Sequence, residues 1–306
     1  MLVDTPRERF ATIPEFDYAH RRVSVGEPEM AYVDVDATAT ADASGGPTGA
    51  EETFLLLHGE PTWSFLYRDV IEALRDRGRV VVPDLIGFGR SQKYTDPDAY
   101  SFSNHLDWVE SFIEALDLTD VTLVGQDWGG VLGLPVATRN PERVSRIVAL
   151  NTGVPDGTQE MPEVWHQAKA ALETADDLDV GRMVDQGCST ELTEAERAAY
   201  NAPFHSRESE AGVRTMMGLV PTTPEDDGAG VGRRTRERLA NWEKPAFVLF
   251  SDADPILSEN RDPLRELIPT ANEQPDVWVE GANHFLQEDA GTEIGREIAA
   301  FVDRTG

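Results

Sequence analysis

The chain has 306 residues, with 56 acidic against 27 basic side chains and a formal net charge of −29. Acids spread along the whole length exclude nucleic acid and anionic membrane as partners, and they oppose anionic substrates at low salt. A chain this long buries roughly 75% of its unfolded surface and needs neither a disulfide nor a metal staple.

Arg21–Val25 and Met30–Val35 read as two alternating strands joined by a turn with Gly26 and Pro28. Residues 37–52 are small and polar and predict an exposed, mobile loop. Thr53–Leu57 is a buried strand ending at His58-Gly59. A helix over 64–75, a strand at Arg79–Pro83 and a Gly/Asp/Pro-rich loop over 84–101 follow. Leu106, Val109, Phe112, Ile113 and Leu116 recur at helical spacing and lead to a strand at Val121. A tight turn between glycines comes next, then a helix to Arg139 and a strand at Val144–Leu150. Residues 155–235 lose this alternation and read as short helices broken by Pro and Gly. Strands return at Ala246–Phe250 and Val277–Val279, with a closing helix over 293–302.

Strands alternating with helices predict an α/β fold with a mostly parallel central sheet flanked by helices. On this reading 1–154 and 236–306 form one core domain. Residues 155–235 form a helical cap over the carboxyl ends of the strands, where open α/β sheets bind ligands. The single cysteine, Cys188, cannot form an internal bridge, and the N-terminus has no apolar signal core; both point to the cytoplasm. No apolar run is long enough to span a membrane.

The stretch Val121-Thr122-Leu123-Val124-Gly125-Gln126-Asp127-Trp128-Gly129-Gly130 has the strand–elbow–helix setting of a G-x-S-x-G nucleophile, with aspartate replacing serine. A carboxylate is already ionised at neutral pH. It attacks saturated carbon without prior deprotonation and leaves an alkyl ester that water must cleave. That second step needs a base and a group to orient it. His284, in a loop after the last strand, and Asp254, just past a strand end, follow the nucleophile in the order nucleophile, acid, histidine. Asp252 competes with Asp254 at a less suitable spacing. Asn151 occupies the other place where such a fold puts its acid, and an amide cannot serve. The backbone N–H groups of Glu60 and Trp128 are the expected oxyanion donors. For Glu60 the expectation covers only its N–H.

HGEPTWSFLYR (58–68), VVPDLIGFGRSQK (81–93), GQDWGG (125–130), LTEAERAAYNAPF (192–204) and GANHFLQED (281–289) together resemble haloalkane dehalogenases of the α/β-hydrolase fold. The likeness is greatest to the subfamily whose His-Gly pair continues Glu-Pro-Thr-Trp. The acid-rich composition resembles that of haloarchaeal cytoplasmic proteins. The resemblance implies that Asp127 displaces halide from a small neutral haloalkane and that His284 activates water. The products are then an alcohol, a halide ion and a proton, without cofactor or metal, from a monomer or small homo-oligomer.

By the same resemblance Trp128 is the first halide-binding donor. The subfamily's second donor, a cap tryptophan, falls on or near Cys188, whose thiol is a weak donor; Trp165 is the alternative. Val131, Phe204, Met216, Met217, Val220 and Phe285 are implied pocket walls. Two other readings remain. An epoxide hydrolase shares the Asp nucleophile but needs acid groups, usually two cap tyrosines, and Tyr200 is the one tyrosine between 155 and 235. A non-catalytic hydrolase-fold protein binding a small apolar ligand has no need of all three triad residues. Haloacid dehalogenases carry arginines after the nucleophile, which Trp128-Gly129-Gly130-Val131 lacks.

Overall fold

A computed structural model describes residues 1–36 and 52–306. The loop expected over 37–52 lies, apart from Glu52, outside the described residues. The strands are β1 (Leu2–Val3), β2 (His20–Ser24), β3 (Glu29–Val35), β4 (Glu52–Leu57), β5 (Gly78–Pro83), β6 (Lys93–Tyr94), β7 (Val121–Gln126), β8 (Val144–Leu150), β9 (Ala246–Val248), β10 (Phe250–Ser251) and β11 (Trp278–Val279). The main sheet runs β2-β3-β5-β4-β7-β8-β9. Its first two pairings are antiparallel and the rest parallel. Only Leu249 separates β9 from β10, which pairs with β11 in parallel and carries the sheet onward.

The central strands are buried on both faces, so they read as continuous apolar runs. Phe54, Leu55, Leu56 and Leu57 of β4 have no exposed surface, and each such side chain stabilises the fold by about 1.5–3 kcal/mol. The helices are α1 (Arg68–Leu74), α2 (Phe102–Ala115), α3 (Trp128–Arg139), α4 (Glu163–Thr174), α5 (Val180–Gln186), α6 (Glu194–Asn201), α7 (Ala211–Met216), α8 (Ala229–Leu239), α9 (Arg261–Leu267) and α10 (Leu286–Thr305). Ser101 caps α2 by accepting from the Asn104 N–H, and its apolar stripe faces the core. A capping box between Thr193 and Glu196 starts α6.

Helices α4 to α8 occupy the excursion between β8 and β9. The expected boundary at 235/236 falls inside α8, which continues to Leu239 and packs on α3. The closing helix also differs from expectation. It begins at Leu286, and Ala290 interrupts it with non-helical backbone.

Five strand ends converge. His58 follows β4, Asp127 follows β7 and Asn151 follows β8. Asp254 lies just past β10, and His284 lies in the loop after β11. Parallel β4, β7, β8 and β10 point the same way, so their carboxyl ends share one rim of the sheet.

Candidate active site

At the β7–α3 turn Asp127 has φ 52° and ψ −122°, a conformation rare for a side chain with a Cβ. Its backbone is held on both sides. The Asp127 N–H donates to the Asn151 carbonyl at 2.9 Å. The Asp127 carbonyl accepts from the N–H groups of Gly130 and Val131, each at 3.0 Å, and from Thr152 Oγ1 at 2.7 Å. Packing around the turn leaves no room for larger residues: a Cβ on Gly129 would sit 1.9 Å from the Leu57 carbonyl oxygen.

The turn after β4 meets this elbow. A Cβ on Gly59 would lie 2.4 Å from both Cβ and Oδ1 of Asp127, so only glycine permits the approach. The approach lets the Glu60 N–H donate to Asp127 Oδ1 at 2.9 Å. The Trp128 N–H bonds to the same carboxylate. His58 braces the turn: its Nδ1 lies 2.9 Å from the Gly59 carbonyl, and its Nε2 accepts the Leu85 N–H at 2.9 Å.

His284 Nδ1 is 3.0 Å from Asp254 Oδ2, and His284 Nε2 is 3.9 Å from Asp127 Oδ2. Asp254 Oδ1 accepts the N–H groups of Ile256 and Leu257. These bonds fix the Asp254 carboxylate and leave Oδ2 for the imidazole, which selects the Nδ1–H tautomer. Asp252 is turned away and accepts the Gly281 N–H at 2.7 Å. Asn151 acts as a clamp. Its Nδ2 donates to Ser251 Oγ at 2.6 Å and to the Asn283 and His284 carbonyls at 3.3 Å, while its Oδ1 accepts the Ser251 N–H. Gln126 Nε2 adds a bond to the His284 carbonyl. The amide at 151 therefore positions the histidine loop.

The charges interlock. Burial raises the Asp127 carboxyl above its usual range, against the pull of His284 and the Trp128 and Glu60 N–H groups. Burial acts to raise Asp254 too, but the charge and hydrogen bond of His284 hold it low. Burial alone would lower His284; Asp254, assisted by Asp127, raises it to about 9. The Glu60 carboxyl is pushed well above its ordinary value by burial and by the Asp127 charge.

A cavity of about 710 Å³ opens over Asp127. Glu60, Trp128, His284, Val131, Met217, Val220 and Phe285 line it, as does Trp165 from α4. Three expected positions fall elsewhere. The Cys188 thiol donates to the Val184 carbonyl at 3.1 Å, and the residue does not line the cavity. Phe204 packs edge-on to Phe88, and Met216, fully buried in the core, ends α7 facing away. Sequence reasoning missed the walls Met161, Leu172 and Met183, and the charged residues Asp156, Asp177, Asp179, Arg182 and Arg236. Nothing in their local sequence marks them, because the roof's helix phases decide which side chains face inward. Tyr200 is fully buried and donates to Glu288, so it presents no hydroxyl to the cavity.

The α/β-hydrolase family model matches residues 52–290. A haloalkane dehalogenase of Mycolicibacterium paratuberculosis is 38% identical, across 98% of both chains. One from Psychrobacter cryohalolentis is 35% identical, again across 98% of both. The chain belongs to the haloalkane dehalogenase family. Among solved structures, the tetrameric haloalkane dehalogenase DpaA of Paraglaciecola agarilytica superimposes with a TM-score of 0.89 at 34% identity, covering 98% of each chain. The α/β-hydrolase match thus spans the turn at Asp127 on the sheet's rim.

Proposed function

We propose that this dehalogenase cleaves small neutral haloalkanes through an ester on Asp127. Asp127 attacks the halogen-bearing carbon; the new C–O bond forms as the C–halogen bond breaks, and its electron pair leaves with the halide. Water then attacks the ester carbonyl while His284 takes its proton, releasing alcohol and restoring the carboxylate. The Glu60 and Trp128 N–H groups hold the oxyanion of this second step.

The observation that carries this reading is the imidazole between two carboxylates. While Asp127 is ionised, both acids favour imidazolium, and His284 is raised to about 9. Esterification removes one of these negative charges, so His284 loses part of its hold on the proton. Asp254 contributes more to this hold than Asp127, so esterification eases release of the proton without removing the whole hold. Asp254 remains to orient it.

The finer assignments rest on the same reading. Residues 155–235 serve as the cap, Trp128 is a halide donor, and the His-Gly-Glu-Pro-Thr-Trp motif sets the subfamily. The indole N–H groups of Trp128 and Trp165 donate to no protein group among the described residues, so both are free to face an anion. The net charge of −29 suits a salt-rich cytoplasm of haloarchaeal type, where a Debye length of about 3 Å at 1 M screens self-repulsion. A small homo-oligomer is in keeping with the tetrameric relative. Incubation with 1-bromobutane in high salt, following bromide and acid, tests the reaction. Release abolished by Asp127→Ala is expected, and release that persists in that variant removes the nucleophile.

A further inference from the structure

The two ends of α5 are held differently. Its carboxyl end is tied to the catalytic loop, because the Phe285 N–H donates to the Gly187 carbonyl at 3.1 Å. Its amino end, about 12 Å of helix away at 1.5 Å per residue, carries Asp179, Arg182 and Met183, all of which line the cavity. Among the described residues, one side chain from outside the helix and its cap holds that end. Asn201 of α6 accepts the Gly181 N–H on Oδ1 at 3.0 Å and donates from Nδ2 to Asp179 Oδ1 at 2.9 Å. The helices touch there: a Cβ on Gly181 would lie 2.2 Å from the Arg197 carbonyl oxygen. The far wall of the cavity therefore goes where the carboxyl end of α6 goes.

That end of α6 is anchored by residues 2–16. Strand β1 pairs antiparallel with β6. From there the chain reaches Thr5, which is buried between the core and the roof. Lys93 Nζ spends its three hydrogens on the Gly89 and Ser91 carbonyls and on Thr5 Oγ1, at 2.8, 3.0 and 3.0 Å. The Thr5 hydroxyl, accepting from that ammonium, turns its own hydrogen to the Pro203 carbonyl at 3.0 Å. Arg9 then donates from Nε to the Ala202 carbonyl at 3.2 Å and from Nη2 to the Asn201 carbonyl at 3.3 Å. A cation at these carbonyls suits a helix carboxyl terminus. Phe10 and Phe16 seat the segment edge-on against Trp63, each at 5.5 Å, with the Arg90 guanidinium over all three rings. Trp63 in turn donates its indole N–H to the Ala199 carbonyl of α6 at 3.2 Å.

We propose that residues 2–16 form a strap that sets substrate length: through Thr5 and Arg9 it fixes the carboxyl end of α6, and through Asn201 the amino end of α5, the wall that a longer alkyl chain meets. Thr5 and Arg9 are positioning residues, since neither lines the cavity. The proposal rests on the dehalogenase reading above for its substrates, but its structural half does not require turnover.

The test is the double variant Thr5→Val/Arg9→Ala, with Arg9→Ala alone as a variant that leaves the buried Lys93 contacts intact. Hydrogen exchange at the amides of 180–183 is expected to quicken by about tenfold in the double variant and by less in the single one, with α3 unchanged. KM for 1-bromohexane is expected to rise about threefold to tenfold, KM for 1-bromobutane to stay within about twofold, and kcat to hold for both. Thr5→Ser/Arg9→Lys, which keeps a hydroxyl and a cation, should restore parental behaviour. Parental exchange at 180–183, or an unchanged ratio of the two KM values, overturns the proposal. So does exchange that quickens equally in α3 and α5, which marks a general loss of stability. A parent that forms no alkyl ester on Asp127 with either bromoalkane sinks the underlying reaction instead, and the exchange measurement still decides whether the strap holds α5.

Discussion

The floor of the cavity is fixed by backbone, whereas its roof is fixed by packing. On the floor, Asp127 is held by its own N–H and carbonyl, Asp254 by two amides and the His284 loop by the Asn151 amide. In the roof, α4 buries only Trp165 and Leu172. Its carboxyl end is tied to α7 through Arg214, which donates to the Leu172 and Ala175 carbonyls. Among the described residues no side-chain hydrogen bond joins α4 to the sheet. A reaction that needs reacting atoms placed within about an ångström draws on the first kind of construction. Selection among alkyl chains needs only apolar shape, which the second kind supplies.

Floor substitutions are therefore expected to act on rate and roof substitutions on selection. The largest effect falls on Asp254→Asn, which disrupts the 3.0 Å contact that sets the imidazole's tautomer. Turnover is expected to drop by about 10³–10⁴-fold. The burst of bromide from alkylation remains, because that step does not use the base. A loss of the burst equal to the loss of turnover would erase the separation of roles.

One link between the two regions is Arg68 of α1, which pairs with Glu288 of α10 and Glu196 of α6, and Tyr200 donates to the same Glu288. The Glu288 side chain is 1% exposed. Arg68→Met leaves that carboxylate buried without its cation and is expected to cost about 3–5 kcal/mol in urea denaturation. Adding Glu288→Gln should recover part of the loss. A single variant as stable as the parent would show that the Arg68 pair contributes nothing to this link.

The smallest effect is expected in the roof. Met217→Ala enlarges the cavity and should shift the ratio of kcat/KM for 1-bromobutane and 1-bromohexane by about threefold to tenfold, with kcat nearly constant. A large fall in kcat would show that the roof also positions the reacting atoms.

What the sequence discloses follows the same division. Asp127, Asp254 and His284 sit at strand ends, and strand ends are marked by short apolar runs that stop at Gly, Asp or Asn. Their convergence follows from a parallel sheet with its connections on one rim. The roof offers no such punctuation. Met216 and Met217 are adjacent, yet one closes α7 in the core and the other opens a 3-10 turn onto the cavity. Cys188 sits in the expected stretch, but its thiol turns back onto the Val184 carbonyl one helical turn earlier. The early start of α10 was equally hidden. A Cβ on Gly291 would lie 2.8 Å from that of Asp69 in α1, a close tertiary approach without a local signal. The Glu60 carboxyl is the subtler case: sequence placed its N–H, while its burial beside Asp127 emerges only when two loops meet.

The account's central claim is an alkyl ester on one oxygen of Asp127. His284→Gln removes the base but leaves the nucleophile, so treatment with 1-bromobutane should yield protein heavier by one butyl group. Peptide mass spectrometry should place that group on Asp127. Stoichiometric bromide release with the protein unmodified, or with the butyl group on any other residue, would contradict the account.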